Sequence, residues 1–426
     1  MSIRIGVIQF PGSNCERETM LAIERAGMVP VPHLWNAPTA LLDEMQGFVI
    51  VGGFSYEDRS RAGVIAAHDP LMVALHAQSD QGKLILGICN GAQILVEAGL
   101  VPGVLHNQVV MALTDNKRIV DGNILGTGYY NAWIQMRLSD TYQRNAFTRH
   151  LTPENILSIP VAHAEGRFVM TQALLDEIKV QGLNVFQYCD AAGQVLPHFP
   201  VNPNGSIDNI AAISNKRGNV LAMMPHPERT QNGDPIFLSM RDAILEGRVP
   251  QATALYYAPR DSACPRYAAP SGSTECVVEL KMTDNQAWTV QNTFKQMHAP
   301  LIVHRKTHWE IHCDDPTVIQ QIKQSEVLYQ NCKEKEWVAS ATPGEAAIAI
   351  LVRAKEDLIG QKKLQTLQDH FGIQGVKTIK HSVVWFFSHA TLSEKDLVDY
   401  ILATHMISNP YAHDCYRYTV SSRARF

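Results

Sequence analysis

The first 250 residues alternate short apolar stretches with amphipathic ones, and this alternation restricts the possible folds more than any other feature. The stretches IRIGVIQF, GFVIVGG and LILGIC have the length and β-branched content of buried strands, and helical patterns occur at 16–25 and 71–77. A repeated strand-then-helix order predicts an α/β fold with a parallel sheet and helices on both faces. In such sheets, functional side chains collect at the carboxyl ends of the strands.

The pattern breaks near residue 250. Residues 251–273 contain proline, serine and glycine without apolar periodicity, which indicates a linker after a domain at 1–250. Beyond it, 274–345 and 346–426 each read as strand, helix, strand, helix and strand, with similar residues at near-constant spacing. We therefore predict a C-terminal α+β tandem-repeat domain whose two units pair their edge strands as a pseudo-dimer.

Composition argues against several functional classes. The net charge of −4 comes from mixed acidic and basic residues without long single-sign runs, unlike a nucleic-acid-binding surface. No apolar stretch is long enough to span a bilayer, and the first residues predict a strand and not a secretory signal, so we expect a cytoplasmic protein. The eight cysteines are irregularly spaced, which argues against a disulfide framework or a metal site, and most are expected to be buried apolar residues.

The segment LILGICNGAQILVEAG carries the most specific chemical signal. A buried strand ends in Gly87-x-Cys89-x-Gly91, and a helix follows at once. Flanking glycines allow the tight strand-to-helix turn that exposes a nucleophile above a sheet, and a helix amino terminus favours a thiolate. Cys89 is therefore the candidate nucleophile, although the same spacing also fits an ordinary turn around a buried cysteine.

A second segment, MPHPER, follows the strand-like NVLAMM. Side chains two positions apart in an extended chain point to the same side, so His226 and Glu228 can act as a base and its orienting carboxylate. Such a pair is commonplace on surface loops, but together with the cysteine turn it forms a candidate triad. The backbone N–H groups of Gly53, in the diglycine of VGGFS, and of Asn90 are candidate oxyanion donors.

One other His-x-Glu pair, His163 and Glu165, competes for the catalytic role. No second cysteine turn exists to serve it, so we expect these two residues to be structural or to lie at an interface. Cys15 is most simply a packed thiol.

The motifs GGFSYEDRSRAG, GICNGAQILVEAGL, NPNGS and MPHPER resemble, in order and spacing, the glutaminase subunits of phosphoribosylformylglycinamidine synthases. PGSNCERE at 11–18 and HAEGRF at 163–168 are similar to that family as well, and the resemblance covers about residues 1–245. It implies the flavodoxin-like fold of class I glutamine amidotransferases. The chain departs from the family pattern at Glu57, where glycine is usual, and we expect this carboxylate to point outward.

The resemblance implies hydrolysis of L-glutamine to glutamate and ammonia. Cys89 would attack the side-chain amide, His226 would carry protons, Glu228 would hold His226, and water would hydrolyse the resulting thioester. Gln93, four residues after the nucleophile, would contact the substrate by analogy with the wider class.

The second C-terminal repeat resembles the small accessory subunit of the same synthase, chiefly through Asn409-Pro410 and the preceding helix, whereas the first repeat lacks the proline. Nothing in the chain resembles an ATP-binding loop. The resemblance therefore implies no cofactor in this chain, and places ATP and Mg²⁺ on a separate synthetase subunit that receives the ammonia. Two alternatives stay open: a glutaminase for another acceptor, and a catalytically silent docking scaffold.

Overall fold

The computed structural model describes residues 2–143, 145–247, 253–259, 263–337 and 348–419. The chain divides into two compact units, Met1–Arg260 and Asp261–Phe426. This division falls inside the segment 251–273 that the sequence marks as a linker. The predicted boundary between the two C-terminal repeats, at 345–346, lies outside the described residues, so the four-part division stays a prediction.

The strands of the first unit are β1 (Arg4–Gln9), β2 (Val29–Leu34), β3 (Gly47–Ile50), β4 (Leu84–Ile88), β5 (Ala112–Thr114), β6 (Lys117–Val120), β7 (Asn123–Thr127), β8 (Tyr130–Leu138), β9 (Ile156–His163), β10 (Arg167–Val169), β11 (Asn184–Cys189), β12 (Ile210–Ser214) and β13 (Val220–Met223). Its α-helices are α1 (Glu16–Arg25), α2 (Val64–Ala67), α3 (Pro70–Asp80), α4 (Asn90–Glu97), α5 (Gln172–Val180) and α6 (Asp234–Glu246).

Nine of these strands form one mixed sheet in the order β2-β1-β3-β4-β13-β12-β11-β8-β9. The first five are parallel to one another, which confirms the predicted α/β class. The remaining four continue the sheet with antiparallel pairings that the sequence analysis did not predict. Burial alone does not separate the two parts of the sheet. Every residue of the parallel strands β3, β4 and β13 is buried, but so is every residue of the antiparallel β11 and β12. Only β8, farther along, alternates between buried and more exposed positions, as an antiparallel strand with one open face does.

Local sequence sets the helix starts in this unit. Helix α3 begins with Pro70, which needs no N–H partner in the first turn, and the Asp69 carboxylate accepts the N–H of Leu71. Helix α1 has Glu16 in its first turn and Arg25 in its last, which suits the helix dipole. No described helix is both long and apolar enough to cross a membrane.

The elements of the second unit are β14 (Ser273–Leu280), α7 (Asn285–Gln296), β15 (Ile302–Cys313), α8 (Val318–Gln324), β16 (Glu334–Glu336), β17 (Ile348–Ala354), α9 (Leu358–Phe371), β18 (Val376–Ser388), α10 (Glu394–Ala403) and β19 (His413–Arg417). The six strands form one sheet in the order β16-β14-β15-β18-β17-β19. Each half therefore contributes three strands, and the halves meet through the antiparallel pair β15 and β18. This edge-to-edge pairing is the arrangement that the sequence predicts. The resemblance of the halves to an accessory subunit stays a prediction.

Candidate active site

Cys89 lies on the turn between β4 and α4. Its backbone has φ 51° and ψ −107°, a conformation that a side chain rarely adopts. A Cβ on Gly91 would lie 2.1 Å from the carbonyl oxygen of Ile50, and a Cβ on Gly87 would lie 2.6 Å from the oxygen of Gly91. Both glycines are therefore needed because the helix packs directly against the strands, which is the tight turn predicted from the sequence.

His226 and Glu228 follow β13 in a short turn, Pro227–Arg229. Nδ1 of His226 lies 2.6 Å from Oε1 of Glu228, and both side chains are 1% exposed. Burial alone would lower the pKa of His226, but the negative charges of Glu228 and Cys89 outweigh it and hold that pKa well above its usual range. The arrangement thus favours the charged, imidazolium form of His226.

Cys89 and His226 meet beside Gly52. A methyl group placed on Gly52 would lie 3.0 Å from Cε1 of His226 and 3.4 Å from Cβ of Cys89. Nε2 of His226 makes no hydrogen bond to the described part of the protein. The structure therefore brings together the three residues that the sequence selects as a triad, with one ring nitrogen held by Glu228 and the other available for proton transfer.

Hydrogen bonds to its carbonyl oxygen fix the orientation of the peptide group between Gly52 and Gly53. The Gly52 carbonyl accepts the N–H groups of Asn14 (3.1 Å) and Cys15 (3.3 Å). Because the carbonyl and the following N–H of a trans peptide point in opposite directions, the Gly53 N–H faces away from residues 14 and 15. Gly53 has φ 141°, which only glycine adopts readily. The proposed oxyanion role of this N–H stays a prediction.

The side chains of Asn90 and Gln93 belong to one hydrogen-bond chain. Oδ1 of Asn90 accepts the Ser55 N–H at 3.0 Å, and Nδ2 of Asn90 donates to Oε1 of Gln93 at 2.9 Å. Nε2 of Gln93 then donates to the backbone oxygen of Glu165 at 2.7 Å. Asn90 opens α4, where first-turn N–H groups have no partner within the helix, as an oxyanion donor requires. Gln93 links the side chain of Asn90 to the backbone of Glu165 in this geometry, and its contact with substrate stays a prediction.

Asp58, Asp115 and Glu165 have carboxyl groups near this chain, a grouping that the sequence analysis did not predict. Burial raises the pKa of Asp58 to about 7 and that of Glu165 to about 8, with Asp115 and Asp58 adding to the rise at Glu165. Asn90 Nδ2 donates to Oδ1 of Asp58 at 3.2 Å. The three carboxyl groups come from distant parts of the sequence, so no local motif marks their grouping. Close carboxyl groups that repel one another form a good environment for a ligand cation.

The competing pair, His163 and Glu165, is arranged differently. Nδ1 of His163 lies 3.2 Å from Oδ1 of Asn116, and the same oxygen accepts the N–H of Gly166. Burial and the charge of His226 lower the pKa of His163 to about 3, so this ring stays neutral. Its contacts are those of a structural histidine beside the triad.

Glu57 points to solvent and pairs with Arg59 at 2.9 Å, as expected. Its backbone lies in the left-handed region with φ 58°. This conformation gives a physical reason for the glycine that is usual at this position in the resembling family.

Cys15 is a packed thiol, 1% exposed, but it also lies at the triad. Its Sγ accepts a hydrogen bond from Nη2 of Arg229 at 3.0 Å. Sγ of Cys15, a ring nitrogen of His226 and a carboxylate oxygen of Glu228 lie within 4.8 Å of one another. Such donors are capable of binding a metal ion, yet hydrogen bonds already engage all three residues, and the expectation of no metal stays a prediction.

Comparison with known proteins identifies the family of the first unit. Residues 2–236 match the family described as the CobB/CobQ-like glutamine amidotransferase domain. The chain belongs to this amidotransferase family. It is 48% identical over 228 residues to the phosphoribosylformylglycinamidine synthase subunit PurQ of Methanothrix thermoacetophila, covering 53% of this chain and 86% of that one. It is 38% identical over 227 residues to the subunit PurQ of Methanocaldococcus jannaschii, covering 53% and 89%.

A solved structure of PurLQS from Thermotoga maritima is also similar, with 29% identity, a TM-score of 0.45, and coverage of 57% of this chain and 100% of that chain. The relatives confirm the family resemblance found in the motifs of the amidotransferase domain. They match about half of this chain, so the resemblance of the C-terminal region to the accessory subunit remains untested.

Proposed function

We propose that the amidotransferase domain hydrolyses L-glutamine to glutamate and ammonia as the glutaminase subunit of a phosphoribosylformylglycinamidine synthase. The observation that carries the proposal is the buried contact of His226 with Glu228, 2.6 Å long, beside Cys89 on its strand-to-helix turn. Its family context is the amidotransferase domain and the PurQ relatives.

The reaction follows from these residues. The Cys89 thiolate attacks the side-chain amide carbon, and the developing oxyanion accepts the N–H groups of Gly53 and Asn90. His226 gives a proton to the leaving nitrogen, so ammonia departs and a thioester remains. His226 then takes a proton from water, which attacks the thioester and releases glutamate and the thiolate. Glu228 keeps the imidazole oriented and stabilises its charge throughout.

Recognition of the substrate is assigned to the carboxyl groups beside Gln93. Free L-glutamine carries an α-ammonium group that a peptide glutamine lacks. Burial raises the pKa of Asp58, Asp115 and Glu165, and the charges of Asp115 and Asp58 raise the pKa of Glu165 further. A bound ammonium group would relieve the repulsion at Glu165. This environment supports a free amino acid as substrate.

The ammonia acceptor is assigned to a separate synthetase subunit that uses ATP and Mg²⁺ to make formylglycinamidine ribonucleotide. We assign the C-terminal unit to docking, as a fused pair of accessory-like repeats. The location is assigned to the cytoplasm, in keeping with the irregular cysteine spacing, which does not suit the disulfide framework of a secreted protein.

The test measures glutamate release from L-glutamine by wild type and Cys89→Ala, each with and without the synthetase, ATP and formylglycinamide ribonucleotide. Cys189→Ala, which removes a buried thiol of the same unit, is the matched control. We expect wild-type and control activity to rise in the complex and Cys89→Ala to be silent. If the complex forms but none of the three proteins releases glutamate, the result would favour the scaffold alternative. Glutamate release without transfer to this acceptor would favour a different acceptor.

A further inference from the structure

The side chains of Cys15 and Cys89 both lie next to the position that a side chain at Gly52 would occupy. A methyl group there would lie 3.0 Å from Sγ of Cys15 and 3.4 Å from Cβ of Cys89. Gly52 does not adopt a left-handed conformation, so space and not backbone geometry requires a glycine. Because residue 52 has no Cβ, no side chain lies between the sulfur of Cys15 and the side chain of Cys89 at this position.

The surroundings of Cys15 favour a reactive sulfur. Arg229 donates Nη2–H to its Sγ at 3.0 Å, and Cys15 is the residue that precedes α1, at the positive end of the helix. Glutamine hydrolysis as described above makes no use of the Cys15 sulfur.

We propose that Cys15 is a resolving thiol for Cys89, so that oxidation of the nucleophile by a peroxide ends in a reversible disulfide between these two residues. The inference rests on the reactive thiol that the proposed function assigns to Cys89. It adds a modification site to the amidotransferase domain and gives the Cys15 side chain a chemical role.

The chemistry balances in two steps. A hydroperoxide transfers an oxygen to the Cys89 sulfur, which becomes a sulfenic acid while the peroxide is reduced to water or an alcohol. The Cys15 sulfur then attacks the Cys89 sulfur, the S–S bond forms, the S–O bond breaks, and the hydroxyl leaves as water with the Cys15 proton. A dithiol reductant restores both thiols and becomes a disulfide itself. Without Cys15, the sulfenic acid stays exposed to further peroxide and proceeds to the irreversible sulfinic acid.

The experiment uses the full chain as wild type, Cys15→Ser and Cys15→Ala, with Cys189→Ser as the matched buried-thiol control. Each is treated with hydrogen peroxide, quenched with catalase, and divided into samples with and without dithiothreitol. Glutamate release is expressed relative to the untreated sample of the same variant, so a change in basal activity does not enter. Digestion without reductant followed by mass spectrometry identifies linked peptides and oxidised cysteines.

We expect wild type and Cys189→Ser to yield a peptide linking Cys15 to Cys89 and to recover more than about half of their activity on reduction. The two Cys15 variants should recover less than about a tenth, with Cys89 found as sulfinic or sulfonic acid. Equal recovery by the Cys15 variants, or sulfinic Cys89 without a linked peptide in wild type, would overturn the proposal. If both variants misfold, the wild-type peptide analysis still decides. An inactive chain that forms the linked peptide would refute the proposed function and leave this inference standing.

Discussion

Replacing Glu228 with glutamine tests the triad most directly. The carboxylate is 1% exposed, and its Oε1 lies 2.6 Å from Nδ1 of His226. Glutamine has nearly the same shape and its amide oxygen accepts the same Nδ1–H, so Glu228→Gln removes the charge and leaves the hydrogen bond. We expect a loss of unfolding free energy of about 1–3 kcal/mol, since a hydrogen bond to a charged group becomes a neutral one.

The effect on activity follows from the pKa of His226. Burial lowers this pKa, and the charges of Glu228 and Cys89 raise it by more. Without the carboxylate, less negative charge counteracts the effect of burial on the pKa of His226. This pKa is therefore lower, and the imidazolium loses its proton at a lower pH. The basic limb of the kcat profile should therefore move to lower pH in Glu228→Gln. We also expect kcat to fall by about 10²- to 10⁴-fold, or roughly 3–5 kcal/mol of transition-state stabilisation.

The assay is glutamate release across pH 5–10 by wild type, Glu228→Gln and Glu18→Gln. Glu18 is a fitting control because its carboxylate lies 3.4 Å from Nε of Arg229, near the triad, but belongs to α1. Glu18→Gln should keep the wild-type profile within about threefold. An unchanged basic limb and a kcat within about threefold of wild type in Glu228→Gln would show that Glu228 does not support His226.

Three further outcomes are expected. Gly52→Ala should lower kcat about 10- to 100-fold with little change in stability, because the new Cβ would lie 3.0–3.4 Å from atoms of Cys15, His226 and Cys89. The control is Gly47→Ala, whose Cβ meets the flexible end of Met240, and its kcat should stay within about twofold of wild type. Gly91→Ala should reduce the unfolding free energy by about 3 kcal/mol or more in a urea titration, because its Cβ would lie 2.1 Å from a backbone oxygen that cannot move alone. KM for L-glutamine should rise about tenfold as pH falls from 8 to 6. The reason is that Asp58 and Glu165, with pKa values of about 7 and 8, become neutral and lose their attraction for the ammonium group. Asp58→Asn should make KM less dependent on pH.

The meeting of Cys89, His226 and Glu228 was predictable because each part has a local signature. The Gly-x-Cys-x-Gly spacing gives the turn at Cys89, and the alternation of side chains gives the pairing of His226 with Glu228. Cys15 carried no such signal, because its contact with Arg229 joins residues 214 positions apart. The grouping of the carboxyl groups of Asp58, Asp115 and Glu165 was not predicted for the same reason, because these residues are also far apart in the sequence. Likewise, the antiparallel strands of the large sheet escaped prediction because their apolar patterns do not specify which neighbour each strand pairs with.

The order of three strands explains why distant motifs meet. In the sheet, β3, β4 and β13 are consecutive neighbours, although β13 follows β4 by more than a hundred residues in the chain. Gly52 and Gly53 follow β3, Cys89 follows β4, and His226 follows β13. Neighbouring strands lie about 4.8 Å apart, so the carboxyl ends of three parallel strands place the proposed oxyanion donor, nucleophile and base side by side. Each motif needs only a turn of its own, and parallel pairing provides the geometry between them. A change that shifts β13 by one residue relative to β4 should therefore abolish activity even with every triad residue intact, because it would move His226 by about 3.3 Å along the strand and reverse the face on which its side chain lies.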